Sequence, residues 1–280
     1  MSDNRFEPIN RAHAIVEMIF FFEFVSGLDE NIDRLLSLRS DLKDDFPSSY
    51  LLETVEVEIT PQTPQTPRKM SSKTGGIELQ RFKTDDSLEW LIRVTPTSIS
   101  IHCLDYTRWK NVLEKVNVYV KKIFEKLLGT DVNISGMGLK YVDQFVFCGE
   151  LKDYDASLLF KRDSSLLHLR AFSSGHQWHC HSGWFEDVRE FGEILSQMNI
   201  DSIVSSIDGV QRAVVVIDHA FIRRAQLEGD MALYILPGKA GEEVRSRLAQ
   251  WMHDANKQLL SGLLIDTVRD RISLHADEIS

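Results

Sequence analysis

The sequence predicts an α+β fold, with mainly antiparallel sheets covered by long helices and two related α+β halves, and three observations carry this. Short runs of period-two hydrophobicity recur along the chain, as half-buried strands require. Two long stripes of helical period, Trp109 to Leu127 and Val244 to Leu259, are suited to covering a sheet. The order strand, helix, several strands, helix, strand also resumes after about Leu151. At 280 residues the chain holds one or two cores, so the division expected is 1–150 and 151–280.

Val16, Met18, Phe20, Phe22 and Phe24 form a wholly apolar face, and Glu17, Ile19, Phe21 and Glu23 form the opposite one, which is a strand's period. Ile32, Leu35, Leu36, Leu38 and Leu42 follow at helical spacing and Pro47 stops them. Val55, Val57 and Ile59 then alternate with Thr54, Glu56 and Glu58 as a second strand. Residues 60–76, with three prolines and two glycines and almost nothing apolar, read as a mobile hairpin tip. Arg68, Lys69 and Lys73 concentrate positive charge there and are the candidate partner-binding residues.

Strands are expected at 77–82 and across 88–103, then a helix from Trp109 to Leu127 ended by Gly129. In the next strand Leu139, Tyr141, Phe145 and Phe147 share a face with Asp143. A carboxylate is thereby set among aromatic neighbours, where it needs a partner. Further strands are expected at 166–172, 177–185, 210–218 and 231–236, and a helix at 188–198. A closing helix runs from Glu242, and Asp266 or Thr267 caps one more turn.

Hydrophobic residues make up 43% and charged residues 26%, ordinary globular proportions that exclude wholesale disorder. The formal net charge of -10 disfavours, without forbidding, a nucleic-acid partner. The longest apolar run, 14–25, is broken by Glu17 and Glu23, so no membrane span is expected and the cytoplasm is the expected compartment. Cys103, Cys148 and Cys180 are too scattered for a disulfide framework or a zinc knuckle.

No GxSxG elbow, GxxxxGK loop or GxGxxG turn is present. His176, His179, Cys180 and His181 form the densest group of ligand-type side chains. On a strand, His179 and His181 share a face and can reach one divalent ion, with His168 as a third candidate. Asp218 and His219 leave an apolar run together, but adjacent strand residues point to opposite faces and make no direct pair.

Several segments together resemble one family: HAIVEMIFFFEF from His13, FK at Phe82, YTRW at 106–109 and GLKYVDQF at 138–145. It is a sporadically distributed, uncharacterised prokaryotic family with an APIVE-like first strand, a Tyr and Trp before a central helix, and an LRYIN-like strand. The likeness spans most of the first half and, weakly, the last helix with Trp251 and His253. Ala14 stands for the family's Pro, Lys140 for its Arg and Asp143 for its Asn. The resemblance implies a fold, supplies no catalytic set, and through its patchy occurrence implies an accessory role in antiviral defence.

The functional expectation is therefore a non-enzymatic macromolecule-binding or sensing protein that needs no cofactor and works with a protein partner or as a homo-oligomer. The alternative is a metal-dependent hydrolase using the His176–His181 cluster.

Overall fold

The computed structural model describes residues 5–10, 12–25, 28–57, 70–226 and 230–274. Ten strands run through it: β1 (Phe6–Pro8), β2 (Ile15–Phe24), β3 (Ser48–Val57), β4 (Met70–Phe82), β5 (Leu88–Val94), β6 (Ser98–Cys103), β7 (Ile134–Phe147), β8 (Trp178–Val188), β9 (Gly192–Ile207) and β10 (Val210–Arg224). The α-helices are α1 (Ile32–Leu36), α2 (Leu38–Asp41), α3 (Trp109–Lys126), α4 (Lys239–Leu263) and α5 (Asp266–Arg271).

All ten strands belong to one sheet in the order β3-β4-β5-β6-β2-β7-β10-β9-β8, every pairing antiparallel. β1 extends the β2 column along the far end of β7, so Phe6 faces Phe147 while Ile15 faces Asp143. This corrects the expected fold class. The protein is 41% strand and 31% helix, a large β-rich sheet instead of two α+β halves with long helices over separate sheets. The physical reason is backbone pairing: β7, from before residue 150, lies between β2 and β10 and carries the sheet across that position without an edge.

Period-two patterning sorts the two faces. Met18, Phe20, Phe22, Ile99, Ile101, Ile92, Leu139 and Tyr141 point to one face and bury against α1, α2, α3 and the first half of α4. Phe145, Phe147, Met198, Ile200, Val215 and Ile217 continue that face and bury against the second half of α4, α5 and the turns of 156–171. Aromatic edges lock the first core, with Phe22 against Phe124 and Trp90 against Tyr119. The opposite face carries a row of ion pairs that crosses the strands, including Glu78–Arg93, Glu17–His102 and Lys140–Asp218. Phe21 lies there over Gly138, where a Cβ would stand 2.1 Å from the ring.

Three local expectations fail. Residues 166–172 form no strand and include a 3₁₀ turn, Leu169–Ser173. Residues 231–236 likewise hold a 3₁₀ turn, Ala232–Ile235, whose carbonyls at Tyr234 and Leu236 accept from the buried Arg245 of α4. Residues 188–198 open β9 instead of a helix: Gly192 takes φ 74° to turn the chain, after which Ile194, Ser196, Met198 and Ile200 bury on alternate positions. Their apolar spacing imitates a helix only because the turn interrupts two strands.

The 60–76 tip also ends earlier than expected. Met70 already pairs with Val57, and Lys73 with Thr54, because backbone pairing in a polar ribbon needs no apolar side chains. Gly76 sits beside the register shift between Leu52 and Glu53, with φ 155° and an added Cβ 2.0 Å from the Val94 carbonyl oxygen. Gly76→Ala is therefore expected to lose about 1 to 3 kcal/mol, read as a lowered urea midpoint. An unchanged midpoint would show that β4 can shift away from β5 at no cost.

Candidate functional site

The two cores do not merge. Along β7 the first ends at Tyr141 and the second begins at Phe145; along α4 the first ends at Met252 and the second begins at Leu259. On each element crossing this junction the chain places a polar residue: Asp143 on β7, His219 on β10, Ser196 on β9, and His253 and Asn256 on α4. Asp143, Ser196, His219 and Asn256 are all buried. A belt of polar groups thus runs beneath α4 between two apolar clusters.

Most of the belt is satisfied. Nδ1 of His219 lies 3.0 Å from the Asn256 carbonyl oxygen Oδ1, so Nδ1 carries the proton and donates. Nε2 is then left to accept the Ser196 hydroxyl at 3.0 Å. Burial holds the His219 pKa down to about 4, which keeps the ring neutral and this arrangement fixed. Tyr141 Oη and His253 Nδ1 are 2.8 Å apart, and burial lowers the His253 pKa to about 4 as well. Trp109 covers the His253 ring in parallel at 4.3 Å and stacks on Phe20 on its other side.

Asp143 is the exception. It is 3% exposed, no hydrogen bond or ion pair reaches its carboxyl group among the described residues, and burial alone raises its pKa to about 7. The expected partner is absent from its described surroundings. His13, whose Nε2 donates to the Tyr106 carbonyl at 3.0 Å, likewise leaves a buried Nδ1 without a partner.

Beside the belt a cleft of about 320 Å³ opens at the surface, lined chiefly by Trp184, Phe221, Trp251, Ala255, Gln258 and Leu259. Its wall rests on the belt. Phe221 meets the His219 ring edge-on at 4.2 Å, Trp184 lies near-parallel to it at 6.5 Å, and Trp251 meets Phe221 edge-on at 5.6 Å. The Trp184 indole N–H donates to Glu186 Oε1 at 2.6 Å, which fixes its orientation. Trp109 and Trp251 are only partly buried, packed against the first core at its rim.

The residues singled out from sequence fall in separate places. Arg68 and Lys69 lie outside the described residues; Lys73 belongs to β4, where its side chain is not described. His179 and His181 share a face of β8 with rings 5.3 Å apart, and His181 Nε2 is 3.5 Å from Asp201 Oδ1. His168 accepts the Arg170 backbone N–H and caps a 3₁₀ turn. Among the described residues no group of three or more His, Cys, Asp and Glu side chains is placed to hold a metal ion. Asp218 pairs with Lys140 on the open face while His219 enters the belt, as their adjacency on a strand requires.

Sequence reasoning missed Ser196, His253 and Asn256 as members of one site. No motif joins them: strand pairing and helix packing do. No protein-family model and no curated protein matches the chain. No helix among the described residues is long and apolar enough to cross a membrane.

The belt fixes a pH dependence whose signs oppose. His219 and His253 have folded pKa values below the unfolded value of about 6.5, so their stabilisation is complete above pH 6.5 and is lost as pH falls toward 4. Asp143 has a folded pKa near 7 against an ordinary 3.8, so its destabilisation is complete above pH 7 and disappears as pH falls toward 4. Asp143→Asn keeps the shape and cannot ionise. It is expected to gain as much as roughly 4 kcal/mol at pH 8, from about three pKa units at 1.36 kcal/mol each, with the gain shrinking to nothing near pH 4. Urea midpoints across that range check it, and a variant less stable than the parent at pH 8 would mean that the carboxylate has a stabilising partner.

Proposed function

We propose that this protein is a non-enzymatic binding module that recognises a partner protein by seating an apolar side chain of an extended segment in the Trp184–Phe221–Trp251 cleft. The observation that carries the reading is the cleft's construction. Three aromatic side chains form an apolar wall held by a neutral, hydrogen-bonded histidine, so little ordering cost attends binding. Glu186 and Gln258 supply the polar rim, and no basic residue lines it among the described residues. With a net charge of -10 on the chain, the fitting partner segment carries Lys or Arg beside its apolar anchor.

The Ser196–His219–Asn256 relay has the connectivity of a nucleophile, a base and an orienting group. Ser196 is nevertheless fully buried, and the cleft lining includes neither it nor His219. A nucleophile must reach its substrate, so the relay is read as the fastening of α4 to the sheet. The resemblance to the sporadic prokaryotic family extends the proposal to an accessory role in antiviral defence, in which recognition of a foreign or host protein is the sensing event.

A displayed library of random peptides tests the reading on the full chain. Enrichment of sequences that pair an aromatic or branched aliphatic residue with Lys or Arg is expected. Binding of the enriched peptides should weaken at least tenfold both in Trp251→Ala, which removes the wall, and in Ala255→Phe, which fills the cleft. Absence of enrichment, or peptides indifferent to both variants while circular dichroism shows them folded, would overturn it.

A further inference from the structure

We infer that the outer edge of β8 is a self-complementary dimerisation edge whose occupant is β8 of a second copy of this chain. β8 ends the sheet and pairs only with β9 among the described residues. Sheet proteins that remain monomeric blunt such edges with Lys, Pro, bulges or short strands. β8 has no Lys, Arg or Pro in its eleven residues, WHCHSGWFEDV, and pairs with β9 without a register shift; its charged side chains are the carboxylates Glu186 and Asp187 near one end. The opposite edge, β3, follows Pro47 and carries the shift at Leu52 and Glu53.

Charge supplies the register. His179 and His181 lie on one side of Gly183, Glu186 and Asp187 on the other. Directly opposed residues of an antiparallel pair share a face, so in a two-fold pairing the two residue numbers must have the same parity. A two-fold axis through Gly183 meets this condition. It places His179 of each copy opposite Asp187 of the other, and His181 opposite Phe185. Asp201 of the same chain stands opposite His179 on β9 and reaches diagonally to His181 at 3.5 Å, so His179 stands between carboxylates of both copies. Phe185, 64% exposed in the single chain, gains a cross-strand neighbour.

Shape agrees with charge. An axis normal to the sheet leaves the helices of both copies on the same side, so the two sheets join into one. An open cleft of about 830 Å³ beside β8, lined by Leu166, Leu167, Leu169, Cys180, Ser182 and Trp184 among others, leaves room on that side for the incoming strand. This edge shares Trp184 of β8 with the wall of the proposed peptide cleft, and its test uses self-association alone.

Sedimentation of the full chain should show a dimer. Asp187→Lys, and separately His179→Asp, should each weaken self-association at least tenfold, because the first takes away the carboxylate that faces His179 and the second sets two carboxylates opposite each other. An equimolar mixture of the two variants should form a heterodimer, since one contact is then an ammonium–carboxylate pair and the other the parent His179–Asp187 pair. Gly183→Cys, in a chain with Cys148→Ser and Cys180→Ser, should form a disulfide-linked dimer on mild oxidation, since axis-related positions lie within disulfide reach. A monomeric parent, a dimer indifferent to both charge variants, or a mixture that stays monomeric would overturn the inference. Dimerisation retained in the charge variants without the Gly183→Cys cross-link would place the contact elsewhere, and a peptide competing with the parent's dimer would make the edge a partner site instead.

Discussion

The structure depends on how α4 meets the sheet. A 25-residue helix crosses β7, and the side chains beneath it change from apolar to polar and back along its length. Hydrophobic burial is non-directional and would allow the helix to slide or rotate on the sheet. Hydrogen bonds between Asn256 and His219 and between His253 and Tyr141 do not allow it, because each is satisfied at one helix position only. The belt therefore sets the register of the helix, and the two apolar clusters supply the greater part of the stabilisation.

Helix packing on one face leaves the other to be stabilised by side chains alone. Antiparallel sheets tolerate this when the open face is polar. Here the open face is organised as pairs: Glu78 with Arg93, Glu17 with His102 and Lys140 with Asp218. His102 holds the Glu17 carboxyl below its ordinary range against the opposing effect of burial. Such pairs contribute little each at a surface, but across neighbouring strands they fix which residues stand opposite one another. The paired charges also leave this face without a large field of one sign, consistent with placing recognition at the cleft and the edge.

Much of the sheet was legible because period two survives in β2, β7 and β10, where one face packs and the other meets solvent. Asp143 was legible for the same reason: an acid on an apolar stripe stands out in the sequence. The rest was hidden by causes that have no sequence period. Ser196 fell inside a segment whose spacing imitated a helix, and the turn at Gly192 that reverses this reading depends on one backbone angle. The single sheet was hidden because β7 reads as the last strand of a first half. Its pairing with β10 joins segments some seventy residues apart that share no local signal. The histidines of β8 drew attention through composition, yet their neighbours are set by β9, which brings one carboxylate, Asp201, and no further ligand among the described residues.

Asp143 brings these arguments together. At position 143 this chain carries an acid between two cores, with no described partner and a pKa pushed up to about 7 by burial. An amide there could share hydrogen bonds at no charge cost, so the acid is expensive in stability terms and adds no contact among the described residues. A buried ionisable group of this kind is neutral or charged according to small changes around it. On one side it adjoins Tyr141, which holds His253 of α4; on the other it adjoins Ile217 of β10, two residues before His219. A buried acid without a described partner thus stands between the hydrogen bond that fixes α4 through Tyr141 and the strand that carries His219.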